Sequence, residues 1–181
     1  MSKFIMLAAA AAISLAASVV VHVQAKEPVK VAFVCTGNTG RSVTAEALAK
    51  RDIAEKKLPI TVISRGVDVD PFDTLPEANA VAVLSAKGID VSAHRSVQLD
   101  ENDVRHADLI LTATAKHKAK VIEQFPDAKD KTFTLAEYAT GKSEDVLDAW
   151  GKPMEAYEAM EKQVEGYLPA ALAKAAALHK E

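Results

Sequence analysis

The run Cys35-Thr36-Gly37-Asn38-Thr39-Gly40-Arg41-Ser42 carries a thiol and a guanidinium at the two ends of a C-x5-R stretch. A turn of this composition that opens a helix lets successive backbone N–H groups converge on one point as an anion nest. The helix N-terminus behind it adds partial positive charge. Gly37 and Gly40 permit backbone angles that other residues resist. Asn38 tolerates a left-handed conformation and braces the loop with its side chain. Arg41 grips two phosphate oxygens in its planar fork. The same positive field favours the thiolate of Cys35, and Ser42 is positioned to donate a hydrogen bond to that sulfur. A nucleophile, an oxyanion cradle and a means of activating the nucleophile therefore fall within one short segment.

Two other readings compete for this segment. A nucleotide-binding P-loop needs G-x-x-x-x-G-K-[ST], but here only two residues separate Gly37 from Gly40, and Arg41 stands where Lys is required. A buried structural thiol is the commonest fate of a free Cys, but it explains neither Gly37-Asn38 nor Arg41-Ser42. Cleavage of a phosphoester also needs an acid near the leaving oxygen. Asp148, in the block Asp148-Ala149-Trp150-Gly151, is the candidate, and an ordinary exposed loop carboxylate is the alternative. Trp150 is read either as core packing or as a wall of the same pocket.

These residues need a frame. Pro28–Cys35 (PVKVAFVC) reads as a buried strand, and residues 35–42 as a loop. Ser42–Lys57 reads as a helix ended by Pro59. Ile60–Ser64 reads as a strand, 65–75 as a loop, and Pro76–Lys87 as a helix with Gly88 as its cap. Ala107–Thr112 is a third strand, Thr114–Gln124 a helix, and Lys131–Leu135 a weaker fourth strand. Lys142–Pro153 is a polar loop. Met154–His179 is helical, with Gly166 and Pro169 as candidate breaks. Alternating strands and helices predict an α/β fold: a small four-stranded parallel sheet with helices on both faces. The 35–42 loop then lies between the first strand and the first helix, at the carboxyl edge where such sheets bind ligands, and Asp148 shares that edge.

The first 25 residues, MSKFIMLAAAAAISLAASVVVHVQA, have one charge at Lys3, an apolar middle and a Val-Gln-Ala ending. They read as a secretory signal peptide cleaved after Ala25, with an uncleaved membrane anchor as the alternative. Residues 26–181 form one domain, expected to be periplasmic or secreted. The formal net charge of −3 argues against a nucleic-acid or anionic-membrane surface. Export implies an oxidising compartment, yet Cys35 is the only cysteine, so no internal disulfide forms. Its lone thiol is read as reactive, or as a partner in intermolecular pairing. His22, His94, His106, His117 and His179 lack metal-ligand spacing, so they read as surface or structural residues and no metal or other cofactor is expected.

C-T-G-N-T-G-R-S after V-A-F-V resembles the signature of the low-molecular-weight protein-tyrosine-phosphatase family, and the resemblance spans nearly all of residues 29–170. FTLAEY (Phe133–Tyr138) and DVLDAW (Asp145–Trp150) are most similar to its protein-arginine-phosphatase branch. The resemblance implies catalysis by Cys35, Arg41, Ser42 and Asp148, with Asn38 shaping the loop. Thr36, Gly37, Asn38, Thr39, Gly40, Arg41 and Ser42 would hold the phosphate, and Thr39 and Trp150 would line the substrate pocket. It implies a phosphocysteine intermediate and no metal; the expected substrate is a phosphorylated protein or small phosphomonoester, and the chain is expected to be a monomer without stable membrane association after signal cleavage. Thr39 occupies a position where the tyrosine phosphatases carry a bulky aliphatic residue and the arginine branch carries Thr.

Four positions depart from the family pattern. Gly40 stands where many members have a second Cys that protects the nucleophile by disulfide formation. Ala149 replaces a Pro after the acid, Val43 replaces a Pro at the helix start, and Arg65 replaces an Ala beside the pocket. Arg65 reads either as added positive charge at the site or as a solvated loop residue. Arsenate reductases of the same fold use a cascade of three cysteines, which one cysteine excludes. A non-catalytic phosphate- or phosphoprotein-binding module stays open as the alternative; it would survive Cys35→Ser, whereas an enzyme would not.

Overall fold

Strand β1 (Val29–Cys35) is buried at every position but Lys30. Both of its faces are therefore covered, as in a central strand of a parallel sheet. It pairs in parallel with β2 (Ile60–Gly66) on one side and β3 (Leu109–Thr112) on the other; β4 (Thr132–Thr134) pairs with β3. The order is β2-β1-β3-β4. A computed structural model describes residues 27–179. The signal segment 1–25, its cleavage after Ala25 and the anchor alternative lie outside the described residues. Among the described residues no helix is long and apolar enough to cross a membrane.

Alternate residues of β1 feed two cores. Val31, Phe33 and Cys35 join a large core with residues of α1 (Arg41–Lys56), α2 (Ala78–Ser85), α5 (Leu135–Thr140) and α6 (Met154–Leu178). Ala32 and Val34 join a smaller one with Val104 of α3 (Glu101–His106), Val121 of α4 (Ala115–Gln124) and Ala128 of a 3-10 turn (Pro126–Lys131). Helices therefore cover both faces, as the alternation of elements predicts. The chain leaves β1 for one side of the sheet and later returns to the other, so the crevice beyond the carboxyl ends of β1 and β3 is the expected ligand position.

Several elements differ from the sequence expectation. Helix α1 starts at Arg41, putting the guanidinium in its first turn. β2 runs through Arg65 and Gly66 instead of ending at Ser64. α2 starts at Ala78, after Pro76, and ends at Ser85; beyond it Gly88, at φ 74°, closes a turn in which Ile89 N donates to Leu84 O. The short helices α3 and α5 and the 3-10 turn were not foreseen. Lys131–Leu135, expected as a strand, divides into the end of that turn, β4, and the start of α5. A Thr134–Glu137 capping box drives the switch to helix. Gly166 and Pro169 do not break α6. Its buried stripe of Tyr157, Met160, Val164, Leu168 and Leu172 repeats every three to four residues, and this packing holds the helix together across the missing Pro169 N–H.

Candidate active site

Cys35 ends β1 and Arg41 opens α1, so the loop between them crosses the carboxyl edge of the sheet. Gly66, paired with Cys35 in register, lies flat against this loop; a Cβ there would come within 2.4 Å of Thr36 O. Only glycine lets the two backbones approach this closely. Val67 N and Asp68 N donate to the carbonyls of Cys35 and Thr36, each at 3.0 Å. The first half of the loop is thereby fixed by β2 and its extension.

Asn38 fixes the second half. It is fully buried with φ at 58°. Its Nδ2 donates to Ser42 Oγ at 2.9 Å and to Ser64 Oγ at 3.0 Å, while its Oδ1 accepts from Val97 N at 2.9 Å. The backbone donor at Val97 settles which end of the amide is oxygen. His94 Nε2 and Ser96 Oγ donate to the Asn38 carbonyl. Ser64 in turn donates to Glu46 of α1. Ser42 Oγ lies 3.0 Å from Cys35 Sγ. Asn38 and Ser42 thus act from behind the loop through their side chains.

A cavity of about 350 Å³ opens in front of the loop, lined by Cys35, Thr36, Gly37, Thr39, Gly40, Arg41, Asp148 and Trp150 together with Asp68, Asp70, Asp73 and Glu77. The sequence-derived site residues Cys35, Arg41, Asp148 and Trp150 therefore meet in one place. Arg41 Nη2 is 3.1 Å from Asp148 Oδ2. Asp148 Oδ1 accepts from Trp150 N at 3.2 Å, and Trp150 leaves 69% of its surface exposed. The acid loop is anchored on the N-terminal side of Asp148: Ala115 N donates to Asp145 Oδ1 at 2.7 Å, Val146 N to Ala113 O at 2.8 Å, and Leu147 N to Gln163 Oε1 at 2.8 Å.

Sequence reasoning missed two residues that hold the site. His117, buried in α4, places Nε2 2.8 Å from Thr36 Oγ1 and Nδ1 2.9 Å from Thr114 Oγ1. Burial, with the Arg41 charge adding to it, pushes the imidazole down to about 4. A neutral ring supplies the one donor and one acceptor these two hydroxyls need. Glu77, just before α2, accepts from Thr39 Oγ1 at 3.0 Å and also from the Tyr157 hydroxyl. Nothing in the local sequence marks either residue, because each acts across the fold.

The sequence model of a family described as low molecular weight phosphotyrosine protein phosphatase matches residues 30–181. The chain belongs to that family. The protein-arginine-phosphatase of Geobacillus stearothermophilus is 41% identical over 139 residues, 76% of this chain and 90% of the relative. The low molecular weight protein-tyrosine-phosphatase PtpB of Staphylococcus haemolyticus is 33% identical over 129 residues, 71% of this chain and 86% of the relative. A solved structure of the YwlE arginine phosphatase, a Cys-to-Ser mutant with its active-site serine phosphorylated, matches with a TM-score of 0.76 at 37% identity, covering 80% of this chain and 94% of that one.

The departures from the family pattern now have surroundings. Arg65 is neither a pocket charge nor a solvated loop residue: it lies in β2 and grips Asp103 with two bonds of 2.6 and 2.9 Å. Ala149 is buried at 2% exposure within the anchored acid loop. Gly40 makes room for Glu77, since a Cβ there would stand 2.6 Å from Glu77 Oε1.

Proposed function

We propose that the protein hydrolyses phosphorylated protein side chains through a phosphocysteine intermediate, and that phosphoarginine is its favoured substrate. The observation that carries the reading is the 3.0 Å contact between Cys35 Sγ and Ser42 Oγ, made behind a cavity whose wall holds Cys35 and the Arg41–Asp148 pair. In this reading the Cys35 thiolate attacks phosphorus and the bond to the leaving atom breaks. Arg41 turns from Asp148 to the equatorial phosphate oxygens, and the loop from Thr36 to Ser42 holds them. Asp148 acts as the general acid and gives a proton to the leaving group. The resulting carboxylate then takes a proton from water as that water attacks the phosphocysteine, and Cys35 is released.

Two features support phosphoarginine. The Geobacillus relative is named for that activity. Around the cradle, Asp68, Asp70, Asp73, Glu77 and Asp148 line the cavity against the single cation Arg41. An acidic surround suits a phosphorylated group that is itself cationic better than a neutral phenyl ring. The N-terminal segment supports a periplasmic or secreted site of action after cleavage behind Ala25; N-terminal sequencing of the mature protein and cell fractionation check this.

The test of the activity is phosphate release by the reduced protein from a phosphoarginine peptide and a phosphotyrosine peptide of the same flanking sequence. Turnover that Cys35→Ser abolishes is the expected result. Phosphate binding without turnover of either peptide or of an aryl phosphate would replace this reading with a phosphate-binding module.

A further inference from the structure

Glu77 is held from three directions. Oε1 accepts the Thr39 hydroxyl proton at 3.0 Å, Oε2 accepts from the Tyr157 phenol of α6, and the Glu77 N–H donates to Thr39 O at 3.0 Å. Burial, reinforced by the bond to Glu77, pushes the Tyr157 phenol up to about 12, so it keeps its proton and stays a donor. The carboxylate fits there because residue 40 has no side chain.

A hydroxyl has one proton and two lone pairs. The Thr39 proton is committed to Glu77, so toward the cavity Thr39 Oγ1 offers only acceptor lone pairs. A phosphorylated guanidinium brings N–H donors next to the phosphorus; a phenyl phosphate has an oxygen and ring carbons at that place and nothing to donate. A pocket wall that is acceptor-only therefore distinguishes the two. Resting on the substrate reading above, we propose that Glu77 is a positioning residue for specificity. By drawing off the Thr39 proton it turns Thr39 into an acceptor for a substrate N–H and selects phosphoarginine over phosphotyrosine.

The test measures kcat/KM on the two matched peptides for the parent, Glu77→Gln, Thr39→Val and the double variant. The amide of Glu77→Gln keeps the shape but can donate to Thr39 Oγ1, leaving the Thr39 proton free to face the cavity. The phosphoarginine-to-phosphotyrosine ratio should fall about tenfold or more in each single variant, the size expected when a substrate N–H loses its acceptor. It should fall no further in the double variant, because both changes remove one interaction. If Glu77→Gln does not fold, Gly40→Ala decides: it drives a Cβ against Glu77 Oε1 and should lower the same ratio. A parent that prefers phosphoarginine, with a ratio that Glu77→Gln or this stand-in leaves unchanged, or with additive losses in the double variant, overturns the role of Glu77 and leaves the substrate reading standing. A parent that prefers phosphotyrosine, or cleaves neither peptide, overturns the substrate reading itself and the role of Glu77 with it.

Discussion

Cys35 Sγ and Ser42 Oγ stand 3.0 Å apart, and the hydrogen bond from Asn38 Nδ2 to the same Oγ, at 2.9 Å, decides how they interact. Asn38 supplies a donor to the oxygen, which leaves the Ser42 proton free to point at the sulfur. A chain of donors thus runs from Asn38 through Ser42 to the nucleophile, in a buried region where such chains are strong. Ser42→Ala should therefore lower kcat by about 10- to 100-fold, the range for a hydrogen bond to a charged group. KM should change little, because the bond serves the sulfur and not the substrate. Steady-state kinetics on an aryl phosphate checks this; a rise in KM at constant kcat would place Ser42 in substrate binding instead.

Asp148 makes a prediction that depends on the leaving group. Asp148→Asn removes the proposed proton donor and also the partner of Arg41. For a peptide substrate, kcat should fall by ~10²–10⁴-fold, the usual contribution of general acid catalysis. For p-nitrophenyl phosphate, whose leaving group departs without protonation, the fall should be much smaller. Equal losses on both substrates would assign Asp148 to structure or to Arg41 positioning.

The difference between these residues and Glu77 or His117 shows what the sequence made legible. Cys35, Arg41 and Ser42 lie in one contiguous loop, so their types and spacing already state the chemistry. Asp148 had to be brought in by resemblance, because a loop carboxylate far along the chain has no local signature. Glu77 and His117 act through tertiary contacts to Thr39 and Thr36, and in sequence they are an ordinary acid before a helix and an ordinary His within one. The sheet and the long helices were legible from periodicity. Helix α3 was not, because only Val104 of its six residues is buried and no apolar period develops. α5 was missed although its Thr134-x-x-Glu137 cap was visible, because the β-branched run before it continued the strand pattern.

His117 links the site to acid stability. Its folded-state value of about 4 lies below the ordinary 6.5, mainly because burial opposes the charged ring. The neutral ring's contribution is complete above pH 6.5. As pH falls from there toward 4, the unfolded chain takes up a proton that the folded one refuses, and stability is lost by about 3 kcal/mol in all. His117→Gln should flatten that window: the variant is less stable than the parent at pH 7.5, and the gap closes by pH 4.5. Denaturant unfolding at the two pH values reads it. A gap that stays constant would show that His117 takes up its proton equally in the folded and unfolded chain.

Gly40 joins oxidation to specificity. Without a second thiol, a sulfenic acid formed on Cys35 by peroxide has no intramolecular thiol to condense with and proceeds to irreversible sulfinic acid. Gly40→Cys restores the residue that many family members carry. After a peroxide pulse, dithiothreitol should recover most of the activity of the variant and little of that of the parent. The gain has a structural cost, since the new Cβ would stand 2.6 Å from Glu77 Oε1 while Tyr157 holds the other carboxylate oxygen in place. Glu77 must give way and release the Thr39 hydroxyl. The protected variant should therefore also lose preference for phosphoarginine over phosphotyrosine, in the direction of Glu77→Gln. Full recovery of the parent would show that its oxidised Cys35 is shielded by some means other than a neighbouring thiol. A Gly40→Cys variant that keeps the parental substrate ratio would show that the loop can shift without disturbing Glu77.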